Sequence, residues 1–197
     1  MTKQPSAARA DARGLRVMLL RSTFNGVVVD GLVRGAEEAL RAMGARPADV
    51  TTVDVPGAFE LPLVASVAAR SGRWDAIVAL GAVIRGETDH YEHIAREAAA
   101  GLAAVARESS VAVGFGVLTV SEEAHAHARA APGPDNKGAE AARAAVATAR
   151  LLQSLRARPA RASRASARRR RPASRPRAAC SFSERSLLLL RSTRTPW

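Results

Sequence analysis

The sequence has little of three things that would place it in a specialised class of protein. Its single cysteine, Cys180, cannot form a disulfide within the chain, which excludes a disulfide scaffold. No apolar run approaches the ~18–20 residues of a membrane-spanning helix, and the N-terminus lacks the apolar centre of a signal peptide. Aromatic residues make up only 4% of the chain, so each one outside a core segment is informative. These absences predict a cytoplasmic protein with one hydrophobic core.

Positive charge is concentrated at one end of the chain. The net charge is +12, and residues 156–197 hold 13 arginines and one acid, which leaves 17 basic and 17 acidic residues elsewhere. Proline and serine throughout this tail predict disorder. The run Arg168–Arg171 is compatible with a phosphate-binding patch for nucleic acid or anionic lipid, with a tail that has no selected partner, or with a shifted reading frame near residue 156.

Short apolar runs alternate with longer amphipathic ones in the rest of the chain. Strands are predicted at 15–20, 50–55, 76–84 and 111–119. Helical spacing is found at 26–43, 58–70, 89–107, 121–130 and 136–155. A helix between each pair of strands gives right-handed crossovers and a parallel sheet. We therefore predict an α/β protein, a three-layer α/β/α sandwich with a four-stranded parallel sheet.

Ligands of such sheets bind beyond the carboxyl ends of the strands. This rule selects STFNG (22–26), PGAFE (56–60), GAVIRGETDH (81–90) and the strand exit at 115–119. The third segment leads into a predicted helix, whose N–H groups and dipole favour an anion such as phosphate. Thr88 or Asp89 could equally serve only as the N-cap of that helix.

The histidines do not have the spacing of a metal site. His90 lies in the first turn of a predicted helix, where it could act as a general acid or base near neutral pH. His93 follows three residues later, whereas the helical zinc motif has four-residue spacing, and no third ligand is near in sequence. We expect no metal, and we interpret His93 as a surface or packing residue and His125 and His127 as exposed.

Two phenylalanines occur in predicted loops at the same edge of the sheet. Phenylalanine usually packs in a core, but Phe24 and Phe59 lie in the segments that come after two predicted strands. An exposed Phe24 ring could stack on a flat heterocycle. Asn25 and Glu60 would offer polar groups to the same ligand, and Arg129 would add positive charge.

Together and in this order, these segments resemble the lumazine synthase family. The motifs are FN (24–25), PGAFELP (56–62), LGAVIRGETDHYEHI (80–94), FGVLT (115–119) and NKGAEAA (136–142). The resemblance implies a flavodoxin-like fold and a catalytic domain at 14–155, between a flexible segment, 1–13, and the tail, 156–197.

The resemblance implies a reaction that needs no cofactor. 5-Amino-6-(D-ribitylamino)uracil condenses with 3,4-dihydroxy-2-butanone 4-phosphate to give 6,7-dimethyl-8-ribityllumazine, phosphate and water, the penultimate step of riboflavin biosynthesis. Two alternatives remain open at this point: a riboflavin- or lumazine-binding relative without turnover, and a cage that binds nucleic acid through its basic tail.

The resemblance also implies a role for each site residue. Phe24 would stack on the pyrimidine, Glu60 would bind the ribityl hydroxyls, and His90 would transfer protons, oriented by Glu140. The other residues implied to bind the pyrimidine substrate are Asn25, Ala58, Phe59, Ala82, Val83, Ile84, Phe115 and Lys137. Those implied to bind the phosphate are Gly86, Glu87, Thr88 and Arg129.

In the family the site lies between neighbouring subunits of a pentamer, and Phe115 is contributed across the interface. The resemblance therefore implies a homopentamer or an assembly of pentamers, with riboflavin synthase as a further candidate partner. No membrane partner is expected, and nucleic acid would bind only through the tail. The connection APGPD (131–135) departs from relatives that have a second lysine and no prolines there, which would leave the phosphate more dependent on Arg129.

Overall fold

A computed structural model describes residues 11–157, and all four strands and five helices expected from the sequence are present in it. In chain order the elements are β1 (Val17–Ser22), α1 (Gly26–Ala42), a short 3-10 helix (Pro47–Asp49), β2 (Val50–Val55), α2 (Leu61–Arg70), β3 (Ala76–Ile84), α3 (His90–Ser109), β4 (Ala112–Val120), α4 (Glu123–Ala130) and α5 (Lys137–Ala157). Helix α2 begins three residues later than predicted, because Pro62 favours the first helical turn and leaves 58–60 in the preceding loop.

The four strands form one parallel sheet in the order β2-β1-β3-β4. Side chains alternate between its two faces, so that Val78 and Leu80 of β3 join the core beneath α1, α4 and α5, whereas Ile77 and Ala79 join the core beneath α2 and α3. The predicted α/β/α sandwich is therefore confirmed. The inner strand β3 is buried along all but its last residue, as expected for a strand covered on both faces.

Both ends of the predicted domain are longer in the structure. Ala12 is fully buried and its N–H donates to the Met43 carbonyl at 2.9 Å. Arg150 donates to the carbonyl oxygens of Asp11 and Arg13. Residues 11–13 of the predicted flexible segment are thus held against the domain, and α5 continues to Ala157. The remaining predictions for that segment and for the tail, including nucleic-acid binding, lie outside the described residues.

No helix within residues 11–157 has the length and hydropathy needed to cross a membrane.

Helices α1 and α5 pack closely because each has a glycine where the other chain segment approaches it. A Cβ on Gly138 would overlap the Leu32 carbonyl oxygen, and one on Gly35 would overlap the side chain of Asn136. Asn136 is 2% exposed, and its amide donates to the carbonyl oxygens of Gly31, Ala130 and Ala131 at 2.9–3.1 Å. Its Oδ1 accepts from the Ala139 N–H at 3.0 Å. This one side chain joins α1, the end of α4 and the start of α5.

We predict that Asn136→Ala lowers the free energy of unfolding by about 2–4 kcal/mol, because it leaves several buried backbone groups without partners. Urea unfolding followed by circular dichroism measures this. The matched control is Gln153→Ala, which removes an exposed amide with a single hydrogen bond, to Arg150 at 2.8 Å. It should change stability by less than about 0.5 kcal/mol. Equal effects of the two variants would contradict the assignment.

Candidate active site

A crevice of about 350 Å³ opens at the carboxyl ends of β1, β2 and β3. Strand β1 pairs with β2 on one side and β3 on the other, so the crevice lies at the point where the strand order reverses. This is the usual ligand position in open α/β sheets. We call it the first crevice, and it is lined by Phe24, Asn25, Gly57, Ala58, Phe59, Glu60, Ala82, Val83, Ile84, Gly86, Thr88, His90, Tyr91 and Ile94.

Strand β3 extends past its neighbour at this crevice. Its pairing with β1 ends at Leu80, whereas the strand itself continues to Ile84. Residues 81–84 therefore have no strand partner on the β1 side among residues 11–157. Unpaired backbone N–H and C=O groups must be satisfied by other means. The structure uses one of them, the Ala82 carbonyl, which accepts a hydrogen bond from Asn25 Nδ2 at 2.9 Å.

The loop after β1 is held in an unusual conformation. Asn25 has φ 57° and ψ 41°, in the left-handed region that asparagine tolerates better than most residues. Its carbonyl accepts from the N–H groups of Val28 and Val29, which starts α1. Thr23 donates from its N–H to the Val55 carbonyl at 2.8 Å and from its hydroxyl to the Pro56 carbonyl at 3.1 Å. The loop is thus fastened to both β3 and the loop after β2.

Two aromatic rings are exposed at this crevice. Phe24 is 70% exposed and Phe59 is 54% exposed, so neither serves as a core residue in the single chain. Gly57 permits a close approach of the neighbouring carboxylate, since a Cβ there would lie 2.8 Å from Glu60 Oε2. The Glu60 side chain makes no cap hydrogen bond to α2. The walls therefore combine flat apolar surfaces with a carboxylate.

The loop 85–89 closes the other side of the crevice. The Arg85 N–H donates to the Val120 carbonyl at 2.9 Å, and its guanidinium lies 5.8 Å from the centre of the Tyr91 ring. Asp89 occupies the N-cap position of α3 without a side-chain hydrogen bond to the helix. Of the two residues considered as the N-cap, Asp89 therefore holds that position, although its side chain does not cap the helix. His90, the first residue of the helix, is exposed.

Tyr91 and Ile94 line the crevice but were not among the predicted site residues. Partial burial and a hydrogen bond from the Tyr91 hydroxyl to Glu92 Oε1, at 3.2 Å, raise the pKa of Tyr91. Tyr91 therefore stays protonated at neutral pH and contributes a ring wall. In the sequence both residues have the spacing of a buried helix face, which also describes ordinary core residues.

A second crevice of about 460 Å³ lies between β4, α4 and α5. It contains four predicted site residues, Phe115, Arg129, Lys137 and Glu140. Lys137 Nζ lies 2.5 Å from Glu140 Oε2, and Arg129 donates to the His125 carbonyl at 3.1 Å. Phe115 is 48% exposed.

The predicted site is thus divided within one chain. Eleven of its residues line the first crevice: Phe24, Asn25, Ala58, Phe59, Glu60, Ala82, Val83, Ile84, Gly86, Thr88 and His90. Four line the second. Glu87 is exposed and lines neither. His90 and its predicted partner Glu140 therefore lie in different crevices.

A family model described as 6,7-dimethyl-8-ribityllumazine synthase matches residues 14–153. The chain is 46% identical over 145 residues to the enzyme of that name from Nitratidesulfovibrio vulgaris strain Miyazaki F. The aligned region covers 74% of this chain and 93% of the relative. The chain is 48% identical over 142 residues to the one from an Anaeromyxobacter species, spanning 72% of this chain and 87% of the relative. For Desulfovibrio desulfuricans the identity is 44% over 154 residues, spanning 78% of this chain and 99% of the relative.

The chain belongs to the 6,7-dimethyl-8-ribityllumazine synthase family.

The match confirms the resemblance that the motifs indicated, and the sheet has the flavodoxin-like arrangement expected of a lumazine synthase. The matched residues 14–153 include every residue that lines either crevice. Both halves of the divided site therefore belong to the family domain.

We predict that Asn25→Ala is about 1 kcal/mol less stable than Asn25→Gly. Both substitutions remove the hydrogen bond to the Ala82 carbonyl, but only alanine pays the steric cost of the left-handed conformation. Denaturant unfolding without ligand separates this backbone effect from any loss of binding. A glycine variant as unstable as the alanine variant would show that the hydrogen bond, and not the backbone conformation, governs the loop.

Proposed function

We propose that the first crevice of one subunit, completed by the second crevice of a neighbouring subunit, is the active site of this lumazine synthase. In it the chain condenses 5-amino-6-(D-ribitylamino)uracil with 3,4-dihydroxy-2-butanone 4-phosphate to 6,7-dimethyl-8-ribityllumazine, releasing phosphate and water. The observation that supports this site best is the convergence of motif residues from three separate loops on one crevice at the strand-order reversal. The binding-only and nucleic-acid-cage alternatives are not favoured.

The pyrimidine substrate binds between the Phe24 ring and the end of β3. A flat heterocycle gains stacking energy from the exposed ring. It gains hydrogen bonds from backbone groups of residues 81–84 on the β1 side of β3, where no strand of residues 11–157 pairs with them. Asn25 and Ala58 lie beside that edge. Lys137, which lines the second crevice, would approach it from the neighbouring subunit. Glu60 accepts hydrogen bonds from the ribityl hydroxyls, for which its carboxylate is suited.

The phosphate substrate binds at the start of α3. Gly86, Glu87 and Thr88 precede the helix, whose first N–H groups and dipole favour an anion. Arg129 from the neighbouring subunit supplies a charge-assisted contact. Because the connection 131–135 contains prolines and no lysine, Arg129 provides most of the side-chain charge for the phosphate in this chain.

His90 transfers protons as the amine of the pyrimidine attacks the ketone, the imine forms and phosphate leaves. Its exposed position at the mouth of the crevice lets it reach the reacting atoms of either substrate. Glu140 of the neighbouring subunit orients the imidazole. Lys137 pairs with Glu140 in the second crevice and balances the charge of that carboxylate. Such positioning fixes which ring nitrogen holds the proton.

A homopentamer, or an assembly of pentamers, would provide the neighbouring subunit. Exposed apolar side chains support assembly, since Leu63 and Val67 on α2 are 68% and 59% exposed and Phe115 is 48% exposed. Burying them between subunits removes apolar surface from water. We propose that residues 11–157 suffice for assembly and catalysis, because they hold both crevices together with the two ends that pack on the domain.

We predict that His90→Ala lowers turnover by about 10²–10⁴-fold, the usual contribution of a positioned general acid or base. Lumazine fluorescence and phosphate release measured together follow the reaction. His93→Ala is the matched control, because His93 is exposed on the same helix but does not line the first crevice. It should retain wild-type turnover. Turnover of the His90 variant equal to that of wild type would remove this histidine from the mechanism.

We predict that co-expressed His90→Ala and Arg129→Ala subunits recover activity that neither variant has alone. With random mixing, about a quarter of shared sites combine an intact His90 with an intact Arg129. Turnover is measured at a phosphate-substrate concentration below KM. The control pair is His90→Ala with Phe24→Ala, whose defects lie in the same crevice and cannot complement. No recovery with the first pair would contradict a shared site.

A further inference from the structure

Arg21 departs from the apolar pattern of its strand. Every other residue of β1 is buried, and Arg21 faces the same side of the sheet as Val17 and Leu19, which are fully buried. Its side chain is 23% exposed. An apolar residue would fill this position without the cost of desolvating a charge, and ion pairs in such places contribute little net stability. The guanidinium therefore calls for an explanation other than packing.

The guanidinium joins three elements at the edge of the site. Its Nε and one terminal nitrogen each lie 2.7 Å from Asp30 Oδ1 on α1, and the other terminal nitrogen lies 3.1 Å from Asp54 Oδ1 on β2. Hydrogen bonds with Asp30 and then Asp54 raise the pKa of Arg21, so it stays charged. The planar fork of arginine fixes the directions of all three contacts, which a lysine could not do.

These contacts lie directly beneath the start of α1. A Cβ on Gly26, the first residue of α1, would be 3.8 Å from a terminal nitrogen of Arg21. Phe24 and Asn25 immediately precede this residue, and Asp54 lies on the strand that leads to Phe59 and Glu60. The guanidinium therefore links the helix that follows the Phe24 loop to the strand that precedes the Phe59–Glu60 loop. These two loops form the proposed pyrimidine half of the first crevice. Among residues 11–157, the hydrogen bonds of the guanidinium go to α1 and β2 and not to β3 or α3, which bear the loop 85–89 and His90.

We propose that Arg21 is a positioning residue for the pyrimidine substrate, which sets the distance between the Phe24 loop and the Phe59–Glu60 loop. The inference rests on the proposed function of the first crevice. Arg21 acts through Asp30 and Asp54 and contacts no reacting atom. Substituting Arg21 should therefore weaken binding of the pyrimidine substrate and leave binding of the phosphate substrate unchanged. A general loss of stability would not produce this selectivity.

The test compares Arg21→Met with Arg46→Met. Arg46 also pairs with an aspartate, Asp49, at 2.7 Å, but at the opposite end of β2. We expect Arg21→Met to raise KM for the pyrimidine by about tenfold, because small misplacements of positioning groups have large effects. KM for the phosphate substrate should stay within about twofold, and titration with 6,7-dimethyl-8-ribityllumazine should show a matching rise in Kd. Arg21→Lys should be intermediate, since it keeps the charge and loses the fork.

Each outcome decides a separate point. An unchanged pyrimidine KM in Arg21→Met, or equal increases for both substrates, would overturn the inference, as would a similar effect of Arg46→Met. If Arg21→Met does not assemble, Asp54→Asn serves as the second variant, because it weakens one contact of the guanidinium at a side chain that is 64% exposed. Asp54→Asn should raise KM for the pyrimidine substrate alone. No increase in that KM would likewise overturn the inference. Wild-type protein that forms no lumazine would contradict the proposed function itself.

Discussion

The unequal lengths of neighbouring strands create the first crevice. Parallel strands that ended together would satisfy each other's backbone groups to their last residues, whereas β3 continues four residues beyond its pairing with β1. The backbone N–H and C=O groups along this edge need hydrogen-bond partners. The Ala82 carbonyl accepts a hydrogen bond from the side-chain amide of Asn25, a residue in the left-handed conformation. The rest of the edge stays available to a ligand. The hydrogen bond from Asn25 to this edge thus helps to hold the Phe24 loop and the start of α1 beside the crevice.

The second crevice depends on a different constraint, the close packing of α1 and α5. Glycines at positions 35 and 138 bring the two backbones together, and the buried Asn136 amide satisfies the carbonyl groups left at the end of α4. Lys137 follows Asn136 directly, and Glu140 lies one turn further along. The orientation of both charged side chains is therefore set by a hydrogen-bonded core residue, although they themselves lie at the surface.

Much of the fold could be predicted from the sequence because apolar runs and helical spacing are local signals. The strands agree within two residues, and α2 differs because Pro62 determines where the helix starts. The exposure of Phe24 could also be predicted, since it lies in a polar loop. Tyr91 and Ile94 could not be separated from core residues by spacing alone. Arg21 gave no usable signal, because its partners lie 9 and 33 residues away in the sequence. Asp30 meets it only through the packing of α1 on the sheet, and Asp54 only through the register of β1 and β2.

The division of the proposed site between two crevices has a consequence for the chemistry. In the single chain His90 is exposed and Phe24 is 70% exposed, so water would compete for every polar contact and weaken each electrostatic interaction. In the proposed assembly, a neighbouring subunit that covers the first crevice would bring Arg129 and Lys137 and remove that water in the same step. Catalytic groups and interface groups are then the same residues. Substitutions that loosen the assembly should therefore impair catalysis even when they lie outside both crevices, because they readmit water to a site whose charges depend on its exclusion.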